Sequence, residues 1–335
     1  MKYKQLPEVK KPISTLVFGT ATPKLFAAVD RNRPDIETCR QEAFALLDAV
    51  FAAGINCFDC AGHYGEEILG EWIDLRGVRE KTVILSKCAH PNAWRDRVTD
   101  FDIFSDIHDA LAKLRTNYVD IYMLHRDNPD VPVSVIVDTM NRLHDEGKIG
   151  AFGGSNWTHR RLEEANEYAA KNNLVPFTVS SPNFGLAEQV DNPWVGNCVT
   201  LSGPENTEAR QWYQDHNMPV FAYSSLARGF FSGAFASDDR EKAKQFLDEA
   251  AVKGYWCDNN FERLRRAEIL AGEKHCTVAQ IALAWLLNQP LDTYLLVSFS
   301  NEKHIRPSVD ACEMVLTPEE CAWLNLESKG NYYET

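Results

Sequence analysis

Short apolar runs alternate with longer stretches of helical periodicity along most of the chain. Mostly apolar runs of this length are typical of strands that are buried on both faces. Eight of them predict strands: Leu16–Gly19, Ile55–Asp59, Thr82–Lys87, Val119–Leu124, Ile149–Gly154, Phe177–Ser180, Val220–Tyr223 and Tyr294–Val297.

Between these runs, apolar residues recur at the three- and four-residue spacing of a helix. Helices are predicted at Cys39–Phe51, Glu67–Leu75, Ile107–Leu114, Val133–His144, Leu162–Lys171, Glu208–His216, Glu262–Lys274, Val278–Asn288 and Ile305–Cys312. Thr277 with Gln280 predicts a capping box, and Thr317-Pro318-Glu319-Glu320 predicts the start of a terminal helix. Two stretches, Pro182–Pro204 and Arg228–Asn260, are expected to be long loops.

Strands that alternate with helices predict an α/β protein with a parallel sheet. The count of eight favours a closed (β/α)8 TIM barrel, a fold that commonly needs about 250 residues or more. We therefore expect one barrel domain over residues 1–335, with long loops at its C-terminal face and a C-terminal helix. No GxGxxG follows a strand, so the doubly wound dinucleotide fold lacks its fingerprint.

Charge and composition narrow the class of protein. The net charge of -13 argues against nucleic-acid binding, which needs clustered Lys and Arg. No apolar segment is long enough to span a membrane, and the start at Met1–Lys11 does not have the pattern of a signal peptide. The nine scattered cysteines indicate a reducing cytoplasm, and the CxxC spacing of Cys57 and Cys60 gives a redox role little support.

Ionisable residues stand at the ends of three consecutive predicted strands. Asp59 ends the second strand, Lys87 ends the third, and His125 follows the fourth, while Tyr64 lies in the loop after Asp59. In a barrel these positions meet at the C-terminal face, where catalysis occurs. Each residue alone is more often structural, as a satisfied ion pair or a surface aromatic. Packing does not require all four together, and we therefore expect an active site.

The four side chains suit proton transfer to a carbonyl oxygen. When a hydride reaches the carbonyl carbon, the oxygen needs a proton from a general acid, and Tyr64 is the candidate. A nearby cation lowers the pKa of a phenol, so Lys87 is expected to activate Tyr64. Asp59 would hold Lys87 in place, and His125 would orient the carbonyl.

Four motifs carry a family resemblance. They are Gly54–Gly65 (GINCFDCAGHYG), Ile84–Lys87 (ILSK), Tyr118–Arg126 (YVDIYMLHR) and Gly147–Trp157 (GKIGAFGGSNW). Together and in this order they resemble the aldo-keto reductase superfamily, over about Leu16 to Cys312. The resemblance implies a (β/α)8 barrel that binds NADP(H), or in some members NAD(H), and assigns Tyr, Lys, Asp and His the roles given above.

The resemblance also implies cofactor contacts. Ser155, Asn156 and Ser181 would hold the carboxamide, and Tyr223 would stack on the nicotinamide ring. The remaining expected cofactor residues are Gly19, Thr20, Ala21, Ser224, Leu226, Arg228, Ser298, Lys303, His304 and Ser308.

Some family positions differ in this chain. Ser181 stands where a Gln is usual, and Phe184 where a Tyr is usual. The usual arginine for the 2′-phosphate is not obvious; Lys303 or Arg306 could replace it, or either could be a solvated helix residue. NADP(H) is favoured over NAD(H).

Substrate and alternative functions stay open at this point. Expected substrate contacts are Phe26, Trp94, Arg126, Trp157 and Trp194, which favour a sugar-like or polyol carbonyl and leave aliphatic and aromatic aldehydes open. The alternatives are a redox-neutral enzyme that retains its cofactor, such as an epimerase or eliminase, and a cofactor-bound sensor or auxiliary subunit. No metal site is expected, because the sequence contains neither HxH nor HExxH. The sequence does not indicate the oligomeric state.

Overall fold

A computed structural model describes residues 1–194 and 196–328. The strands are β1 (Tyr3–Lys4), β2 (Ile13–Ser14), β3 (Leu16–Gly19), β4 (Cys57–Asp59), β5 (Val83–Cys88), β6 (Val119–Leu124), β7 (Ile149–Ser155), β8 (Val179–Ser181), β9 (Val220–Ala222) and β10 (Thr293–Val297). The helices are α1 (Pro23–Ala27), α2 (Ile36–Ala52), α3 (Glu66–Arg76), α4 (Asp100–Leu114), α5 (Val133–Asp145), α6 (His159–Lys171), α7 (Thr207–Asp215), α8 (Arg240–Phe246), α9 (Glu249–Tyr255), α10 (Asp258–Glu273), α11 (Val278–Leu287), α12 (Ile305–Ala311) and α13 (Pro318–Leu324).

Eight parallel strands close into a barrel in the order β10-β3-β4-β5-β6-β7-β8-β9, which confirms the predicted TIM-barrel fold. The small antiparallel pair β1–β2 lies apart from that sheet, and sequence periodicity missed it because each strand has only two residues. No helix in the described ranges combines the length and the apolar character needed to cross a membrane.

The chain forms two compact units. The first comprises Met1–Ser181 with Ser298–Ile305, and the second comprises Pro182–Val297 with the chain from Arg306 onward. The expected single domain over residues 1–335 stays a prediction, and its last seven positions lie outside the described residues.

Helix capping follows the sequence signals closely. At α11 and α13 both reciprocal bonds of a capping box form, between Thr277 and Gln280 and between Thr317 and Glu320, as predicted. A box of this kind satisfies two backbone donors that the first helical turn leaves without partners. The starts of α11 and α13 are therefore determined by residues at the beginning of each of these two helices.

One loop prediction was wrong. The span Arg228–Asn260 contains α8, α9 and the first residues of α10. The side chains of Asp239 and Asp248 cap α8 and α9, whose few apolar residues do not form a repeating pattern at helical spacing. In the other predicted loop, Pro182–Pro204, the described residues before Pro204 contain neither helix nor strand, and Pro204 begins a short 3-10 helix, Pro204–Asn206.

Candidate active site

The four ionisable residues lie at neighbouring strand ends of the first unit. Asp59 is the last residue of β4, Lys87 is next to last in β5, and His125 directly follows β6. The three strands are hydrogen-bonded neighbours, with Asp59 opposite Leu85 and Lys87 opposite Met123. Parallel pairing in this register brings the four side chains to the same end of the sheet.

Lys87, Asp59 and Tyr64 form a closed triangle of polar contacts. The Lys87 ammonium is paired with Asp59 Oδ1, donates to the Tyr64 hydroxyl at 2.7 Å, and donates to the Cys60 carbonyl at 3.2 Å. The Tyr64 hydroxyl in turn donates to Asp59 Oδ2 at 3.3 Å. Asp59 and Lys87 are only 4% and 6% exposed, so their ion pair is shielded from bulk water, while Tyr64 is half-buried.

The pKa of Tyr64 moves in the direction opposite to the one expected from the sequence. Burial, followed by the negative charge of Asp59, raises this pKa well above its usual value. The sequence argument counted the Lys87 cation but neither desolvation nor the adjacent carboxylate. Tyr64 is therefore a protonated phenol in this structure. Burial also raises the pKa of Asp59, with the pairing to Lys87 acting in the other direction.

His125 is held as a neutral imidazole. Burial and the nearby Lys87 and Arg126 cations lower its pKa well below the usual value. Its backbone N–H donates to the Cys88 carbonyl at 2.7 Å, and its own carbonyl accepts from Arg126 at 2.9 Å. Its Nδ1 is buried and has no hydrogen-bond partner among the described residues. A neutral ring can supply one N–H donor without adding charge.

The loop that carries Tyr64 is fixed by close backbone packing. A tight turn exchanges hydrogen bonds between Ala61 and Tyr64 at 2.8 and 3.0 Å. Gly65 follows with φ of +77°, and a Cβ there would lie 1.8 Å from Thr20 Oγ1. Thr20 donates through both its backbone N–H and its hydroxyl to the Asp59 carbonyl. Glycine is therefore required beside Tyr64, both for its backbone conformation and for space.

A cavity of about 360 Å³ opens next to this group. It is lined by Gly62, His63, Lys87, His90, Pro91, Asn92, Arg97, Asp106, Asp109, Lys113 and His125. The sequence analysis missed His63 and His90, because neither lies at a strand end. Desolvation by the surrounding protein lowers the pKa of both rings, that of His63 to about 4 even though part of the His63 side chain stays exposed to solvent.

The expected cofactor residues of the first unit are mostly buried and hydrogen-bonded. Ser155 Oγ donates to the Ser181 carbonyl at 3.0 Å. Asn156 has φ of +60°, and its amide donates to Ser155 Oγ at 3.1 Å. Ser298 Oγ donates to the Gly19 carbonyl at 2.8 Å. Ser298 is nevertheless exposed, as are the side chains of Ala21, Lys303 and His304.

The second unit contains the segment expected to hold the pyrophosphate. Ser224, Ala227, Arg228 and Gly229 all have positive φ, between 48° and 95°. The Arg228 guanidinium is paired with Asp248 and lies over the Trp194 ring, 4.3 Å from its centroid. Leu226 and Tyr223 are half-buried in the same stretch, and Ser308 is buried in α12. Sequence reasoning missed Asp248, which lay in the wrongly predicted loop.

The expected substrate residues lie in very different environments. Trp94 is 88% exposed and Phe26 is 45% exposed, while Trp157 has no exposed surface and packs against Phe177. Arg126 is buried beside His125 at 8% exposure, and its Nε has no hydrogen-bond partner within the described ranges. Of these residues, Arg126 is the one next to the ionisable group.

The CxxC pair does not have the environment of a redox site. Cys57 and Cys60 are free, fully buried thiols on either side of Asp59. Burial raises the pKa of both thiols well above the usual value, which keeps them protonated and poorly reactive.

Comparison with known proteins shows relatives of several kinds. A probable voltage-gated potassium channel subunit beta of Arabidopsis thaliana is 25% identical over 335 residues, covering 95% of this chain and 94% of that protein. The NADP(+) aryl-alcohol dehydrogenase of Phanerodontia chrysosporium is 22% identical over 311 residues, covering 85% and 76%. The crystal structure of the thermostable aldo-keto reductase Tm1743 with the inhibitor epalrestat matches with a TM-score of 0.71 at 25% identity, covering 98% of this chain and 100% of that one.

The family assignment agrees with the fold and with the sequence motifs. The model of the aldo/keto reductase family matches residues 16–325, which is nearly the whole chain. The chain therefore belongs to the aldo/keto reductase family and is an oxidoreductase enzyme.

Proposed function

We propose that the protein interconverts a carbonyl group and an alcohol by hydride transfer with NADP(H), and that Tyr64 is the general acid/base. The observation that carries this proposal is the 2.7 Å contact of the Lys87 ammonium with the Tyr64 hydroxyl. A phenol with a raised pKa keeps its proton until a stronger base appears, and a carbonyl oxygen that gains a hydride is such a base.

Each member of the group has a distinct task in that reaction. A bound nicotinamide would supply or accept the hydride. Tyr64 gives its proton to the developing alkoxide, and Lys87 stabilises the phenolate that remains. Asp59 keeps Lys87 charged and fixed in position. His125 donates its ring N–H to the carbonyl oxygen, which sets the orientation of the substrate.

One feature within each unit supports a dinucleotide cofactor. In the first unit, the hydroxyl of Ser155 and the amide of Asn156 offer the donor and acceptor groups that a carboxamide needs. In the second unit, the positive φ angles of Ser224 and of residues 227–229 form the kind of backbone concavity that binds anions. Arg228 beside it can contact a pyrophosphate as a planar fork.

The choice of NADP(H) over NAD(H) depends on a contact for the 2′-phosphate. Lys303 and Arg306 are both exposed, but Arg306 is paired with Asp310, whereas Lys303 has no ion pair among the described residues. We therefore propose Lys303 as the contact for the 2′-phosphate, and the name of the Phanerodontia relative is consistent with NADP. Binding of NADPH and of NADH to wild type and to Lys303→Ala, measured by fluorescence titration, would compare the two cofactors directly.

The proposed substrate is a small polar carbonyl compound. Arg126 offers unused hydrogen-bonding capacity next to His125, which suits a sugar-like substrate. An aromatic aldehyde is the competing choice, because one relative is named an aryl-alcohol dehydrogenase. Values of kcat/KM for a sugar aldehyde, an aliphatic aldehyde and an aromatic aldehyde would rank these classes. Cytoplasmic location, expected from the sequence, remains part of the proposal.

The mechanism is tested by Tyr64→Phe. Loss of the proton donor should lower kcat by about 10²- to 10⁴-fold, while the affinity for NADPH stays unchanged. Tyr168→Phe is the matched control, because this exposed hydroxyl contacts only Asp138 in the contacts described here. Unchanged turnover in Tyr64→Phe would overturn the mechanism.

A second candidate function comes from the potassium-channel relative. Its match covers 95% of this chain, so an auxiliary subunit that binds the cofactor without needing turnover is a specific alternative. Wild-type protein that binds NADPH but reduces no aldehyde of the panel would favour that alternative. Tight cofactor retention with substrate conversion but no net oxidation of NADPH would favour a redox-neutral enzyme.

A further inference from the structure

Three histidine rings meet in the cavity beside Lys87. The ring centroids are 4.3 Å apart for His63 and His90, 4.8 Å for His90 and His125, and 5.3 Å for His63 and His125. One ring nitrogen from each residue lies within 4.8 Å of the others. The three residues come from the segments that follow β4, β5 and β6, so the barrel brings together rings that are distant in sequence.

The hydrogen bonding of two rings leaves nitrogen atoms available to a ligand. His90 Nδ1 lies 2.9 Å from the Pro91 carbonyl. Because a carbonyl only accepts, Nδ1 must carry the proton, and Nε2 keeps its lone pair. A backbone carbonyl that fixes the tautomer in this way is the usual second contact of a metal-bound histidine. His125 Nδ1 is buried without a partner among the described residues.

The charges around the rings are largely balanced. Lys87 is paired with Asp59, Arg97 with Asp106, and Lys113 lies 3.5 Å from Glu66. Arg126 has no carboxylate within salt-bridge distance in the described part of the chain, but the Asp109 carboxylate also lines the cavity. The positive and negative side chains near the three rings are therefore equal in number, and they do not oppose a bound cation.

We propose that His63, His90 and His125 form a binding site for a divalent transition-metal ion of the Zn²⁺ or Co²⁺ type. Imidazole is a preferred ligand of these ions, whereas Mg²⁺ and Ca²⁺ prefer oxygen ligands. Metal–nitrogen bonds of about 2.0–2.1 Å place tetrahedral ligand nitrogens about 3.4 Å apart, so nitrogens that lie within 4.8 Å of one another must approach by up to about 1.4 Å. The exposed position of His63 allows this movement.

An ion at this site has a direct chemical consequence. It binds the ring of His125, which in the proposed function donates a hydrogen bond to the substrate carbonyl. It also places a positive charge close to Lys87. The site is therefore inhibitory, and micromolar Zn²⁺ should suppress turnover until a chelator removes it. This consequence depends on the proposed function, whereas the binding site itself does not.

Binding is tested by titrating the full-length, EDTA-treated protein with Co²⁺ and recording its absorption spectrum. The expected result is one equivalent of bound ion, with visible bands of Co²⁺ but no thiolate-to-cobalt charge transfer in the near ultraviolet, because the ligands are nitrogen. A charge-transfer band would overturn the proposal, since one or more of the nine cysteines would then be the ligands. Absence of binding at millimolar Co²⁺ would also overturn it, as would displacement of Co²⁺ by Mg²⁺.

Variants locate the ion. His90→Ala and His63→Ala should each weaken Co²⁺ binding at least tenfold, and circular dichroism should show that both remain folded. His275→Asn is the matched control, because His275 lies outside the cavity at φ of +53°, a backbone conformation that Asn adopts readily. Full Co²⁺ affinity in both cavity variants would refute the site. Loss of aldehyde reduction in every preparation, with Co²⁺ binding intact, would count against the proposed function alone.

Discussion

Replacement of Lys87 by methionine should destabilise the protein, because it leaves a carboxylate buried without its ion pair. Asp59 is 4% exposed and would keep the Tyr64 hydroxyl, at 3.3 Å, as its remaining side-chain donor. Removal of one partner from a buried ion pair typically costs about 3–5 kcal/mol. At about 2 °C per kcal/mol, the lower end of the range for large domains, the variant should melt roughly 6–10 °C below wild type.

Protonation of Asp59 gives this loss a pH signature. Burial raises the pKa of Asp59 above 3.8 even with Lys87 present, and the variant removes the charge that opposes this rise. Between the unfolded pKa and the raised folded pKa, the folded state binds a proton that the unfolded state lacks, so stability falls as pH rises. The deficit should therefore be full above the folded pKa and shrink as pH is lowered toward 3.8.

The matched control is the double variant Asp59→Asn with Lys87→Met, which removes both charges and preserves shape. It should recover most of the lost stability at mildly alkaline pH. The difference between its melting temperature and that of wild type should change little between alkaline and acidic pH. Thermal unfolding followed by circular dichroism measures all three proteins. Equal melting temperatures for the single and double variants at both pH values would refute the buried-charge argument.

Two further predictions concern helix packing and surface charge. Gly70→Ala should lower the free energy of unfolding by about 1–3 kcal/mol, because a Cβ in α3 would lie 2.3 Å from the Lys113 carbonyl of α4. Gly272→Ala in α10 is the control, because a Cβ there meets nothing within 4 Å. In urea unfolding the control should be neutral or slightly stabilising. Similar losses in both would contradict the packing argument. Hydrogen bonds from Arg265, and to a smaller extent from Arg266, lower the pKa of Glu262 to about 2. Glu262 therefore stabilises the fold above its usual pKa of 4.5, and this stabilisation is lost as the pH falls toward 2. Glu262→Gln should accordingly be less stable than wild type at neutral pH and equal to it in strong acid, and a deficit that does not change with pH would count against the ion pairs.

The fold was predictable because its signals are local and repeated. Two strands, Leu16–Gly19 and Val119–Leu124, have the bounds that the sequence predicts. Asp59, Lys87 and His125 meet because parallel pairing carries equivalent positions to one end of the sheet, and a pattern of strand ends is enough to reveal that. The short helices α8 and α9 gave no such signal, since α8 has only Ala243 and Phe246 as apolar residues and most apolar residues of α9 are consecutive.

Features of the site that depend on contacts between distant segments could not be predicted from the sequence. The direction of the Tyr64 pKa shift follows from how deeply the hydroxyl is buried and from its 3.3 Å contact with Asp59, and neither is encoded in residue type. Trp157 was expected near the substrate, yet its ring packs against Phe177 with no exposed surface. The approach of His63 and His90 to His125 involves three separate loops, so no spacing rule could have found it.

The tight packing of Gly65 against Thr20 has a consequence for how this protein could diversify. Every contact described above for Asp59, Tyr64, Lys87 and His125 lies within Met1–Ser181. Thr20 ties the Asp59 carbonyl to the end of β3, and the absence of a side chain at Gly65 keeps the two segments in contact. Insertions or replacements in the segments after Ser181 therefore leave each of these contacts in place. Natural drift and laboratory libraries alike should vary most freely there, with the proton-transfer group inherited unaltered.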